Sequence, residues 1–79
     1  MIQHGFRDGF AITPSDTVVF TKPCEAIYVG GAGAVVVLTP GGTTLTFAAV
    51  PVGTVLYVKA NRVNSTNTTA TNLVALFGA

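Results

Sequence analysis

The chain has 79 residues, enough for one domain and too few for two. Charged side chains make up only 9% of it, against roughly 25% in an ordinary soluble domain. The four basic residues, Arg7, Lys22, Lys59 and Arg62, are scattered and form no stripe for nucleic acid, and no run approaches the about 20 apolar residues of a spanning helix.

A closed membrane barrel of about eight strands does not fit into this length either. The opening Met1-Ile2-Gln3-His4-Gly5 has no basic segment followed by an apolar core, so synthesis and assembly in a cytoplasm are expected. Cys24 is the single cysteine, which excludes an internal disulfide and a cysteine-rich metal site; it reads as a small buried hydrophobe. A surface so short of charge predicts burial against protein neighbours.

Val and Thr dominate, and both crowd a helix while suiting a pleated strand. Short candidate strands punctuated by Gly, Pro and Asn predict an all-β chain, a small antiparallel β-sandwich or jelly-roll-like β-barrel. Residues 1–10 read as an irregular N-terminal segment and 11–79 as a single β domain. Thr13-Pro14-Ser15-Asp16 reads as a turn, Thr17 to Phe20 as the first clear strand, and Lys22-Pro23 as its break. Glu25 to Val29 is extended. Gly30-Gly31-Ala32-Gly33 then reads as a tight hairpin, with Ala34 to Leu38 returning.

Pro40-Gly41-Gly42 is the next turn, and Thr43 to Phe47 alternates Leu45 and Phe47 with Thr44 and Thr46. Pro51-Val52-Gly53 turns the chain into a strand from Thr54 to Ala60. Asn61 to Thr71, rich in Asn, Ser and Thr, reads as an exposed loop. In the closing strand, Asn72 to Phe77, Leu73, Ala75 and Phe77 share one face while Val74 and Leu76 occupy the other. Such two-faced strands in so small a domain imply that a second layer or a second subunit covers the outer side.

The inventory for chemistry is thin: His4, Asp8, Asp16, Cys24 and Glu25. His4 with Asp8 lacks the paired spacing of a metal site, and a remote Cys24 and His4 lack an orienting group, so no catalytic residue, metal or cofactor is expected. The Gly30 to Gly33 run would need a helix after it to cradle phosphate, and Ala34 to Leu38 reads as strand. Asn64-Ser65-Thr66 and Asn67-Thr68-Thr69 match a glycosylation acceptor pattern that any Asn/Thr-rich loop produces by chance. Phe6, Phe10, Tyr28, Tyr57 and Phe77 could stack on sugars as a carbohydrate-binding module. Without Trp, and set in apolar segments, they read better as core and interface residues, with Tyr57 and Phe77 contacting across a layer or subunit boundary.

The order of these pieces resembles a family of short proteins, the head spike base proteins of phages and gene transfer agents. The resemblance is carried by Ala11-Ile12-Thr13-Pro14-Ser15-Asp16, Ile27-Tyr28-Val29-Gly30-Gly31-Ala32-Gly33, and Thr44-Leu45-Thr46-Phe47 leading to Val50-Pro51-Val52-Gly53-Thr54. Val58-Lys59-Ala60-Asn61-Arg62-Val63 and the run Thr68 to Leu76 complete it. Met1 to Phe10 and Lys22-Pro23-Cys24-Glu25 depart from the pattern. The resemblance implies a non-enzymatic virion subunit on the outer surface of a capsid, copies of which form a ring at the fivefold vertex and carry a fibre. The implied partners are further copies of the chain, as a pentamer or else a trimer, the major capsid protein and a fibre protein, with no nucleic acid and no membrane. A decoration or cement protein belongs to the same class. Arg62, Lys59 and Arg7 are then candidate polar anchors to capsid or fibre, with solvated rim charges as the plain alternative.

Overall fold

The computed structural model describes residues 8–77. Seven strands run in order: β1 (Asp8–Ala11), β2 (Ala26–Gly31), β3 (Gly33–Leu38), β4 (Thr44–Val50), β5 (Val55–Leu56), β6 (Arg62–Val63) and β7 (Thr71–Phe77). No helix occurs among the described residues. A four-stranded sheet, β1-β7-β2-β5, packs on a three-stranded sheet, β4-β3-β6, and every pairing is antiparallel. The chain is a β-sandwich, as its Val/Thr composition and turn spacing predict.

The core lies between the sheets. Ile27 and Val29 from β2, with Leu73 and Ala75 from β7, meet Val35 and Val37 from β3 and Val63 from β6. Cys24 is fully buried among them, and burial pushes its thiol pKa up. No side chain in the core is polar or charged among the described residues.

The Gly30 to Gly33 run departs from expectation. It is no hairpin: β2 pairs with β5 and β7, whereas β3 pairs with β4 and β6, so the chain leaves one sheet and enters the other across Ala32 alone. The glycines permit close backbone approach at that crossing. A Cβ on Gly30 would lie 2.7 Å from the Asn72 carbonyl oxygen, and one on Gly31 would strike the Thr71 hydroxyl. At Gly33, whose φ is +155°, a Cβ would stand 2.6 Å from the Ala70 nitrogen and 2.8 Å from the Thr69 carbonyl carbon.

Thr17 to Phe20 is the second departure. These residues form no strand, and Val18 is 68% exposed. Ser15 Oγ accepts the N–H groups of Thr17 and Val18 at 3.2 and 3.0 Å, and this local turn withdraws the donors a ladder would need. The segment instead covers the β6 edge: Ser15 N–H donates to Val63 C=O at 2.8 Å and Phe20 N–H to Asn61 C=O at 2.7 Å. Thr66 donates its N–H to Asp16 Oδ1 at 3.0 Å and its hydroxyl to Asp16 Oδ2, bonds that hold the Asp16 carboxyl below its ordinary pKa.

Other expectations are met with different lengths. Pro40-Gly41-Gly42 closes the β3–β4 hairpin, with Gly42 N–H on Thr39 C=O and Gly42 at φ +88°. The strand expected over Thr54 to Ala60 shortens to Val55–Leu56, followed by an isolated bridge from Ala60 to Cys24. The Asn/Thr-rich loop begins as β6, and its hydroxyls serve β3: Thr69 Oγ1 accepts Ala34 N–H at 2.9 Å and Thr68 Oγ1 accepts Val36 N–H at 3.0 Å. β1 starts at Asp8, inside the segment expected to be irregular.

Replacing Gly33 with Ala brings a Cβ against fixed backbone at a positive φ, so Gly33→Ala destabilises the chain by about 2 kcal/mol or more in urea unfolding. A free energy within about 0.5 kcal/mol of wild type would contradict the crossing geometry. The Asp16 carboxyl, with its pKa lowered by folding, adds stability that is complete above the ordinary aspartate pKa and lost as pH falls through the lowered one. Thermal unfolding from pH 7 to pH 2 should therefore show a shallower acid loss in Asp16→Asn than in wild type.

Candidate functional site

The described surface contains no concave pocket and no group of three or more His, Cys, Asp and Glu close enough to hold a metal ion. Its distinctive feature is the outer face of the four-stranded sheet. Residues directly paired in an antiparallel ladder share a face. Ile27, Ala75 and Leu56 point inward, so the adjacent row, Ala11–Val74–Tyr28–Val55, points outward, and so does the row Gly9–Leu76–Ala26. Ala11 and Tyr28 are exposed, and Val74, Val55 and Leu76 are half-buried by their neighbours alone. None of these seven residues carries a charge or an unsatisfied buried polar atom.

The outer face of the other sheet has different chemistry. Its rows are Val36–Thr46 and Thr44–Leu38–Arg62, and the 64–69 segment lies along one side of β3, where Asn64 N–H donates to Val36 C=O. One side of the sandwich is thus apolar and open, and the other is hydroxyl-bearing and partly covered. The asymmetry has its origin in the sequence: residues 26–58 contain no Asp, Glu, Lys or Arg, so the outward positions of β2, β4 and β5 are filled only by Thr and apolar residues.

The predicted site residues fall in several places. Tyr57 comes directly after β5 and is 67% exposed. Phe77 is 7% exposed and belongs to the chain's own core, where its ring lies 5.5 Å from that of Phe10 and Lys22 Nζ sits 4.8 Å above it. Lys59 pairs with Glu25 at 2.8 Å, an exposed ion pair that contributes little to stability. Arg62 is half-buried on β6, its Nε donating to Asn64 Oδ1 at 2.7 Å. Lys59 and Arg62 are each held by a different neighbour. Arg7, like His4, lies outside the described residues.

The alternation of Val74 and Leu76 signals the outer face, but not that Tyr28 stands beside Val74 or Ala26 beside Leu76. Those neighbours are set by register between strands more than forty residues apart.

Comparison with models of known protein families finds no match. No curated protein matches either. Among solved structures, a chain from a particle described as "Capsid of native GTA particle computed with C5 symmetry", GTA denoting a gene transfer agent, superposes with a TM-score of 0.82. It is 30% identical, and the match covers 91% of this chain and 83% of that one. This chain belongs to that family of phage and gene transfer agent capsid-related proteins. In such a capsid-related protein, the apolar sheet face is a surface that gains from a neighbour, because apolar area removed from water contributes about 25 cal/mol per Å².

Apart from Ala26, which is fully buried, the outer face lies outside the capsid-related protein's own core. Tyr28→Lys therefore unfolds within about 1 kcal/mol of wild type, while fluorescence of a surface-binding apolar dye falls with it. Loss of the cooperative transition in this variant would place Tyr28 in the core instead.

Proposed function

We propose that this chain is a non-enzymatic structural protein of a phage-like particle. It sits on the outside of the head as a spike base at the capsid vertex, where copies form a closed ring that anchors a fibre. The observation that carries this reading is the likeness, at 30% identity over nearly the full length, to a chain of a gene transfer agent capsid computed with fivefold symmetry. The physical chemistry supports it. A charge-poor sandwich with an open apolar sheet face gains stability from a neighbour, and a cyclic ring closes without leaving an unpaired contact surface at an end. Tyr57, Lys59 and Arg62, all outside the core, fit polar and aromatic contacts at the rim of such an assembly.

The test combines native mass with decoration of particles. Purified chain at low micromolar concentration is weighed by native mass spectrometry, then mixed with particles assembled without it and examined by electron microscopy. Pentamers, with density confined to the vertices, are expected. Trimers spread over the capsid faces would replace the spike base by a cement protein, and a monomer that leaves the particles bare would overturn the reading.

A further inference from the structure

A sheet edge is a row of unpaired N–H and C=O groups, and folded chains usually blunt such edges with charge, proline, a bulge or a covering segment. The edges of this sandwich are treated unequally. The β6 edge is covered by residues 12–20 through Ser15 and Phe20, and β5 has only two residues to expose. β4 has seven residues, mostly exposed, without charge or proline, and among the described residues it is protected only by a bulge at Ala48–Ala49, with Ala49 at φ 54°.

Hydrogen bonding identifies which groups of β4 are open. Ala34, Val36 and Leu38 direct their backbone groups to the β6 side, where they meet Thr69, Thr68, Asn64 and Asn61. Val35 and Val37 therefore face β4 and bond Phe47 and Leu45. The N–H and C=O groups of Thr44 and Thr46 consequently point away from the sheet, with no partner among the described residues. The same reasoning applies to β1. Ile12 N–H donates to Leu73 C=O, so Phe10 and Asp8 face β7 while Gly9 and Ala11 point outward. Asp8 Oδ1 accepts Gly9 N–H at 2.8 Å, and Gly9 C=O and both backbone groups of Ala11 have no partner among the described residues.

These two edges lie on opposite flanks. β4 passes to β5 through residues 51–54, which places it on the β5 side of the sandwich; residues 12–20 run from β1 onto β6, which places β1 on the β6 side. Open strand edges on opposite flanks of one chain are what a head-to-tail contact between identical copies requires. The charge-free run 26–58 puts nothing on the β4 side to repel a second copy.

We infer that β4 of one copy pairs edge to edge with β1 of the next, the backbone groups of Thr44 and Thr46 bonding the Gly9 carbonyl and both backbone groups of Ala11. This rests on the proposed ring and names the contact that builds it. The pairing joins the three-stranded sheet of each copy to the four-stranded sheet of its neighbour.

Hydrogen exchange on the wild-type assembly and its dissociated chain, with native mass of two variants, tests the inference. Thr46→Pro removes an outward N–H and no ladder bond, and proline is accepted at such edge positions; Thr46→Val keeps the N–H. The expected result is slowed exchange at Thr44, Thr46 and Ala11 only in the assembly, at least about tenfold weaker association in folded Thr46→Pro, and near wild-type association in Thr46→Val. Exchange at these amides that is equally fast in ring and monomer overturns the edge pairing, whether or not Thr46→Pro folds, and leaves the ring itself standing. Dimers as the largest species overturn it in favour of β4 meeting β4. A chain that neither associates nor decorates particles removes the proposed function along with the pairing.

Discussion

The fold depends on one close backbone contact: the chain crosses from one sheet to the other at Gly30–Gly33, pressed against Thr69 to Asn72. The four-stranded sheet ends its longest pairing there, between Gly31 and Thr71. Two steps later Gly33 has begun the other sheet, opposite Val50. The second segment at the crossing is tied to β3 as well, since Ala34 C=O accepts the N–H groups of both Thr69 and Ala70. Both halves of the core are therefore positioned by a few ångströms of contact in which no side chain fits. The two sheets then need only Val, Ile, Leu, Ala, Phe and Cys between them, and among the described residues the interior holds no buried polar side chain that would need a partner.

A consequence is that polar residues work at the periphery. Asp16, Ser15, Thr68 and Thr69 bond backbone at strand edges and turns, fastening irregular segments to sheets that hydrophobic burial has already formed. The outward face of β2 and β7 receives no such fastening. Among the described residues no second layer covers Tyr28 or Val74 there, which suits a capsid-related protein with a face to offer a neighbour.

How far the sequence could be read varies by element. β7 was legible down to its faces, because Leu73, Ala75 and Phe77 alternate with Val74 and Leu76 and the burial keeps that period. The Pro40-Gly41-Gly42 turn was legible because proline and glycine impose a local geometry. Gly30 to Gly33 is ambiguous in the sequence because glycine serves a hairpin and a close crossing equally well, and the deciding atoms belong to residues near seventy. Thr17 to Phe20 reads as a strand from its β-branched residues, but Ser15 captures two of the amides that a ladder would need. Phe77 and Tyr57 looked alike as aromatics, yet a cluster with Phe10 holds one inside while the other remains at the surface. The open edges depend on strand order, which no local pattern specifies.

The uncharged outer face also bears on the kinetics of assembly. Attraction between opposite charges raises association rates toward about 10⁸–10⁹ M⁻¹s⁻¹ at low salt, while uncharged surfaces meet at about 10⁵–10⁶ M⁻¹s⁻¹. With no charge from residue 26 to residue 58, encounters through this side of the molecule are unsteered and nearly indifferent to ionic strength. Capture then depends on local concentration and on fit after contact, so a surface that already holds one copy recruits the next more effectively than free solution does.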